Sequence, residues 1–201
     1  MANALKTPEI IIKTFTQQLR MEDLFSRECP VWLEIGFGVG KFFLEQARNN
    51  PDKGLIGVEN DPARYFKMRD KLSYIDIDNT RICRTEAEML VKYLIPEKSI
   101  DYVFINFPDP WPKNRHTKFR LFTLDFSQDL TRIMKPGARV RIVTDVKEYA
   151  DHIRKVMLFD DHFIPVNNDT TSFPTTTFQD RFIKTNIPYY PQIFQSVNGI
   201  Q

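Results

Sequence analysis

With 201 residues the chain is sized for one domain that can bury a three-layer core, and 42% hydrophobic against 27% charged residues is the balance of a soluble globular fold. A formal net charge of +2 excludes capture of a polyanion by the field of the whole molecule, so any such attraction must come from local clustering. No apolar run approaches the roughly 18 residues that span a bilayer, and the N-terminus lacks a basic region followed by an apolar core. Cys29 and Cys83 show neither metal-ligand nor redox spacing, so a cytoplasmic protein with reduced thiols, no membrane association and no metal is expected.

Residues 1–28 are mixed: Ile12, Phe15, Gln18, Leu19 and Glu22 follow helical spacing only in part, which leaves a short helix packed on the domain or an arm touching a partner. Residues 29–201 read as a single domain without internal repeats. Val31-Trp-Leu-Glu-Ile35 predicts the first central strand, Gly36-Phe-Gly-Val-Gly40 a tight turn, and residues 41–48 a helix. Strand, glycine turn and helix together form the nucleotide-binding opening of a doubly wound sheet. The spacing is Gly-x-Gly-x-Gly, whereas the dinucleotide fingerprint is Gly-x-Gly-x-x-Gly, which favours an adenosyl ligand without a pyrophosphate. A purely structural turn is the alternative at this point.

Residues 54–58 predict a second strand ending at Glu59, about 20 residues past the glycine turn, where an acid can accept hydrogen bonds from both ribose hydroxyls. Asp61 and Pro62 open a helix to about residue 72 as N-cap and first helical residue. After a third strand at residues 80–83, Glu86 is placed to meet an adenine amino group, or equally to favour a helix dipole as a first-turn acid; Glu88 reads as helix surface.

The apolar run Tyr102-Val-Phe-Ile105 predicts a fourth strand, and Asn106-Phe-Pro-Asp-Pro-Trp-Pro-Lys113 leaves its carboxyl end. Three prolines in five residues make this a stiff, non-helical corner that holds Asp109 and Trp111 in defined directions. Lys113, Arg115, His116, Lys118 and Arg120 follow with no acid among them, as expected where a cationic reagent meets a polyanion; a turn leading into a solvated face is the bland alternative.

A long amphipathic segment over about 119–134 is expected to close at Pro136-Gly137, before a fifth strand at residues 138–143 that ends in Thr144-Asp145. Residues 147–158 predict a helix, residues 162–166 a short strand, residues 167–177 a polar loop and residues 188–197 a last strand. Thr176, Thr177, Phe178, Gln179 and Arg181 stand where hydrogen bonds to a base edge and phosphates are available, an ordinary surface loop being the alternative. Residues 34–40, Glu59, Glu86, Asp109 and Asp145 would converge at the carboxyl edge of one parallel sheet, where open α/β folds bind ligands.

This pattern resembles the bacterial tRNA (guanine-N7)-methyltransferases over about residues 31–181. The most specific element is Asn106-Phe-Pro-Asp-Pro-Trp-Pro-Lys113 followed by Arg115-His116 and Lys118. Leu33-Glu-Ile-Gly-Phe-Gly-Val-Gly40, Gly57-Val-Glu59, Thr144-Asp145 and Thr176-Thr-Phe-Gln-Asp-Arg181 support it. The resemblance implies a Rossmann-like class I methyltransferase fold, a mostly parallel seven-stranded sheet with helices on both faces. It implies methyl transfer from S-adenosylmethionine to the guanine at position 46 of the tRNA variable loop. By it Glu34, Glu59, Glu86 and Asp109 contact the donor, and Asp109 is also catalytic. Lys113, Asp145 and residues 176–179 hold the nucleotide, and residues 115–120 lie along the RNA. It implies no obligate protein partner and leaves monomer and homodimer open. Glu86 stands where the family usually has aspartate, Gln179 where it usually has glutamate, and Asn114 and Phe119 where it often has further basic residues; Asp180 is the candidate compensation for Gln179.

Overall fold

The computed structural model describes residues 8–159, 161–167 and 171–197. The first seven residues of the expected arm, and residues 168–170 of the expected polar loop, therefore lie outside the described residues. Strands β1 (Val31–Ile35), β2 (Gly54–Val58), β3 (Thr80–Cys83), β4 (Ile100–Asn106) and β5 (Met134–Thr144) run parallel; β7 (Tyr190–Ser196) is antiparallel to both β5 and β6 (Phe163–Pro165). The order across the single sheet is β3-β2-β1-β4-β5-β7-β6.

Period-two alternation decides which helix covers which face. Leu33, Ile35, Val103, Ile105, Val140 and Ile142 join the core beneath α5 (Leu124–Ile133) and α6 (Lys147–Met157). On the opposite face Leu55 and Ile82 pack with Phe43 and Leu44 of α2 (Lys41–Asn49) and Met68 and Leu72 of α3 (Pro62–Tyr74). Phe42 of α2 meets Tyr102 and Phe104 of β4 on that same side. The expected sheet and its two helical layers are thus present, and Asp61 caps α3 by accepting from the Arg64 amide at 2.9 Å, with Pro62 at the first position.

Three elements differ from the sequence reading. Residues 12–22 do not form the suggested helix; only Met21–Leu24 is helical (α1). Instead, Ile82 N donates to Pro8 O and Ile10 N to Ile82 O, both at 2.7 Å, so the segment lies parallel beside β3 before crossing to Leu94, whose carbonyl accepts from Leu19 N. Its apolar residues Ile10, Ile12, Leu19, Leu24 and Phe25 are consumed by the main core, and so short a helix has too little cooperativity to compete with that docking. The amphipathic stretch over 119–134 divides: residues Asn114–Phe119 form a 3-10 turn, and α5 begins only after Thr123, whose hydroxyl accepts from Phe126 N. Pro136 and Gly137 lie within β5, where the pairing with β4 shifts register between Ile100 and Tyr102. The element directly after β3 is a short helix, α4 (Ala87–Met89), running into a π-turn at Leu90–Leu94.

Candidate functional site

Strand order reverses between β1 and β4, and a doubly wound sheet opens a crevice at that point. A cleft of about 490 Å³ lies there, lined by the carboxyl ends of β1 (Ile35, Gly36), β2 (Glu59, Asn60) and β4 (residues 105–109), with Arg64, Thr85, Glu86, Glu88, Trp111, Lys118 and Phe119 around it. Among the described residues no helix is long and apolar enough to cross a membrane.

Gly36, Gly38 and Gly40 all take positive φ. Gly40, at φ 74° and N-cap of α2, carries the strictest requirement: a Cβ there would stand 1.6 Å from the Met68 methyl carbon. The turn is tied to β2 by Glu59. That side chain is 5% exposed, its Oε2 accepts from Gly38 N at 2.8 Å and its Oε1 from Asp61 N at 3.0 Å, so two amides fix the carboxylate's direction beside the cleft.

Glu34 is 5% exposed and does not itself line the cleft; it is buried beside Asn106, which does. Burial pushes its carboxyl up to about 8, against the lowering effect of a hydrogen bond from Asn106 Nδ2 at 3.5 Å, while the charge of Glu59 adds to the rise. Its other oxygen, Oε2, has no hydrogen-bond partner among the described residues. Asn106 Oδ1 in turn accepts from Arg141 Nη1 at 3.1 Å, so a polar chain crosses β1, β4 and β5 beneath the cleft. Glu86 occupies the N-cap position of α4 but makes no side-chain cap hydrogen bond, and its exposed carboxylate is turned toward the cleft.

The central corner is stiffer than prolines alone would make it. Phe107 and Trp111 take φ of 55° and 41° on either side of Pro108-Asp109-Pro110, a conformation that costs non-glycine residues free energy and persists only where the surroundings enforce it. Phe107 N donates to Val143 O at 2.7 Å at one end. At the other, Arg120 Nε donates to Pro110 O at 2.8 Å, with its guanidinium 5.2 Å from the Tyr149 ring centroid. Asp109 is exposed on the cleft wall between these anchors. Trp111 packs against the His116 and Phe119 rings at 5.7 and 5.5 Å, so much of its face serves the corner itself.

The expected substrate residues divide into two groups. Lys113, Arg115 and Lys118 are exposed and His116 half-buried on one side of the corner, Lys118 reaching the cleft margin. Arg120 departs from the expectation of an RNA-facing row: it is 9% exposed, with its Nε donating to Pro110 O, its guanidinium over the Tyr149 ring and an ion pair to Glu148 at 3.9 Å, because the 3-10 turn ends at Phe119 and turns the next residue inward. Asp145 is exposed at the end of β5 and does not line the cleft. Residues 176–181 open α7 (Thr177–Thr185), brought to the corner by Phe178 and Phe182, whose rings lie 5.6 and 5.4 Å from Phe107. Thr177, Phe178 and Arg181 are exposed there. Gln179 is only 3% exposed and completes a capping box: Gln179 N donates to Thr176 Oγ1, and Thr176 N donates to Gln179 Oε1, both at 3.0 Å. Its carboxamide oxygen thus accepts from the cap of its own helix, and the side chain is buried at the position where a contact to a base edge was expected.

Arg64, Asn60, Thr85, Arg141 and Lys41 belong to this region without having been singled out in the sequence, and Asn106, the first residue of the corner motif, had been given no role of its own. Lys41 alone carried a signal: a cation at the first position of a helix runs against the dipole.

A parallel sheet closed by an antiparallel last strand, a glycine turn after β1 and an acid closing β2 define the Rossmann-like methyltransferase class. Solved structures agree on the fold: the 16S rRNA methyltransferase KamB has a TM-score of 0.64 at 14% identity, and the aminoglycoside resistance methyltransferase NpmB1 0.62 at 17%, each match covering 88% of this chain and 92% of the other. The family model Methyltransf_4, described as "Putative methyltransferase", matches residues 28–190. Proteins named tRNA (guanine-N(7)-)-methyltransferase are similar in sequence: that of Hyphomonas neptunium is 42% identical over 70% of this chain and 64% of its own length, and that of Nitrosomonas europaea 32% identical over 88% and 81%. The match spans less than two thirds of the Hyphomonas protein, and 47% of the relative from Thermotoga maritima. The chain belongs to the tRNA (guanine-N7)-methyltransferase family.

Proposed function

We propose that the chain methylates N7 of a guanine in tRNA, the acceptor in its relatives' names, with S-adenosylmethionine as donor and position 46 of the variable loop as the target. The observation that carries this reading is Asp109, held on a doubly anchored corner at the wall of a cleft whose opposite side carries Glu59 and Glu86, with a basic row leaving the same corner.

The residues present fit the donor. Glu59 has both oxygens oriented by amides yet keeps lone pairs for two ribose hydroxyls, Glu86 faces the place of an adenine amine, and 490 Å³ is within the range of small-ligand sites of about 300–1,000 Å³. Glu34, buried beneath the cleft with one unpartnered oxygen, would meet the donor's ammonium in its ionised form, the ammonium's charge offsetting the burial that otherwise keeps this carboxyl protonated. When bound, S-adenosylmethionine supplies an electrophilic methyl on a sulfonium, and guanine N7 presents an in-plane lone pair that needs no prior deprotonation. The protein's task is then positioning. Asp109 either holds the donor's amino group or accepts from guanine N1 and its exocyclic amine. Lys113, Arg115, His116 and Lys118 contact phosphates, while Asp145, Thr177, Phe178 and Arg181 border the nucleotide on the α7 side. We infer a cytoplasmic enzyme that works without an obligate protein partner, as a monomer or homodimer.

Incubation with labelled donor and unmodified tRNA, followed by nucleoside analysis, should yield 7-methylguanosine. Asp109→Ala should lower turnover by about a hundredfold or more, the order of effect that loss of positioning produces, with tRNA binding largely kept. Near-normal single-turnover methylation by that variant would refute the assignment.

A further inference from the structure

Lys41 is the first residue of α2, directly after the glycine turn on the donor side of the cleft. Its ammonium forms an ion pair with Asp180 of α7 and donates to Thr175 Oγ1 at 3.3 Å, and Thr175 donates its hydroxyl hydrogen to the other Asp180 oxygen. Local physics does not favour a lysine at that position, since the amino end of a helix carries partial positive charge; Asp180, in the first turns of its own helix, is favoured. Among the described residues the other acid paired with Lys41 is Glu45, at 3.9 Å. The triad joins residues 139 positions apart in the chain, and its two ends adjoin the two halves of the proposed reaction: the glycine turn, and the helix that carries Thr177, Phe178 and Arg181.

We propose that Lys41 and Asp180 form a positioning latch that sets the acceptor-side helix α7 against the donor-side glycine turn. The inference rests on the methyl-transfer reading above. Neither side chain touches the reacting atoms in this role; each acts through the element it holds. A surface ion pair by itself contributes little to stability, and both side chains are about one-third exposed. The consequence is therefore registered in acceptor use and not in folding: losing either partner removes the tie of α7 to the glycine-turn side while its Phe107 contacts remain, so the helix can tilt away from the cleft.

The test uses the full chain as Lys41→Ala, Asp180→Ala, the double variant and Lys41→Arg. Each single alanine variant should lose about tenfold in kcat/KM for tRNA, chiefly through KM, with the melting temperature and donor affinity near those of the parent. The double variant should be no worse than either single one, and Lys41→Arg should recover most of the loss, because partners in one interaction are not additive. Additive losses in the double variant, or single variants with parental kcat/KM, would overturn the latch. If the parent chain methylates no tRNA, the functional reading falls by itself. Amide exchange then decides the latch: faster exchange across Thr177–Thr185 in Asp180→Ala supports it, and unchanged protection overturns it.

Discussion

Glu34 keeps a carboxyl where water scarcely reaches, and the folded protein accordingly holds a proton there to about pH 8, whereas the unfolded chain releases it near the usual 4.5. Between those values the folded state binds more protons, so this group makes stability fall as pH rises, and its effect levels off above about 8. Glu34→Gln should flatten that slope by up to about 1.4 kcal/mol per pH unit, seen as urea midpoints that change less between neutral and mildly acidic pH than the parent's. A variant with the parent's slope would show that the site is neutralised by other means. At this scale the sequence was partly legible. Glu59, Glu86 and Asp109 were placed by their positions at strand ends, since the end of a buried parallel strand always faces the crevice. Arg120 and Lys41 were not, because where a long cationic side chain goes depends on neighbours such as Tyr149 and Asp180, far away in sequence.

Strands β1 and β2 were readable as elements because each is a short, mostly apolar run closed by a glycine or an acid, and β4 because its centre is an apolar run, as expected where both faces of a parallel sheet are covered. The turn after β1 shows the tightest link between element and ligand. Gly40→Ala would impose a left-handed conformation on a residue with a Cβ and drive that carbon into the buried Met68. A loss of about 2 kcal/mol or more in denaturant unfolding is expected, together with weakened donor binding measured by calorimetry. Helix α7 gives the opposite lesson. A threonine followed three residues later by glutamine is a helix-start signature, and Thr176 and Gln179 use it that way, so a pair weighed as ligands turned out to be the cap that places Thr177 and Phe178.

Over the whole molecule, the amino-terminal segment is part of the core and not an appendage. Ile10 is 7% exposed, and Phe25 lies where a side chain on Gly54 would stand, its ring 2.6 Å from the place of a Cβ. Ile10→Ala should cost about 2–4 kcal/mol in unfolding free energy, a large share of the stability of a domain this size, and should lower the melting temperature without altering kcat at low temperature. The segment escaped the sequence reading because its apolar residues dock one by one on distant partners, which leaves no periodicity to read.

One feature of the topology bears on how the molecule is made. Strand β7 follows β5 and β6 in the chain, yet it sits between them, pairing with Arg139–Thr144 on one side and Phe163–Pro165 on the other. Until it emerges, β6 has no seat in the sheet and β5 presents an open row of amides and carbonyls. A nascent or prematurely terminated chain lacking Tyr190–Ser196 would thus carry an unguarded edge, which makes this strand the gatekeeper against self-association during synthesis.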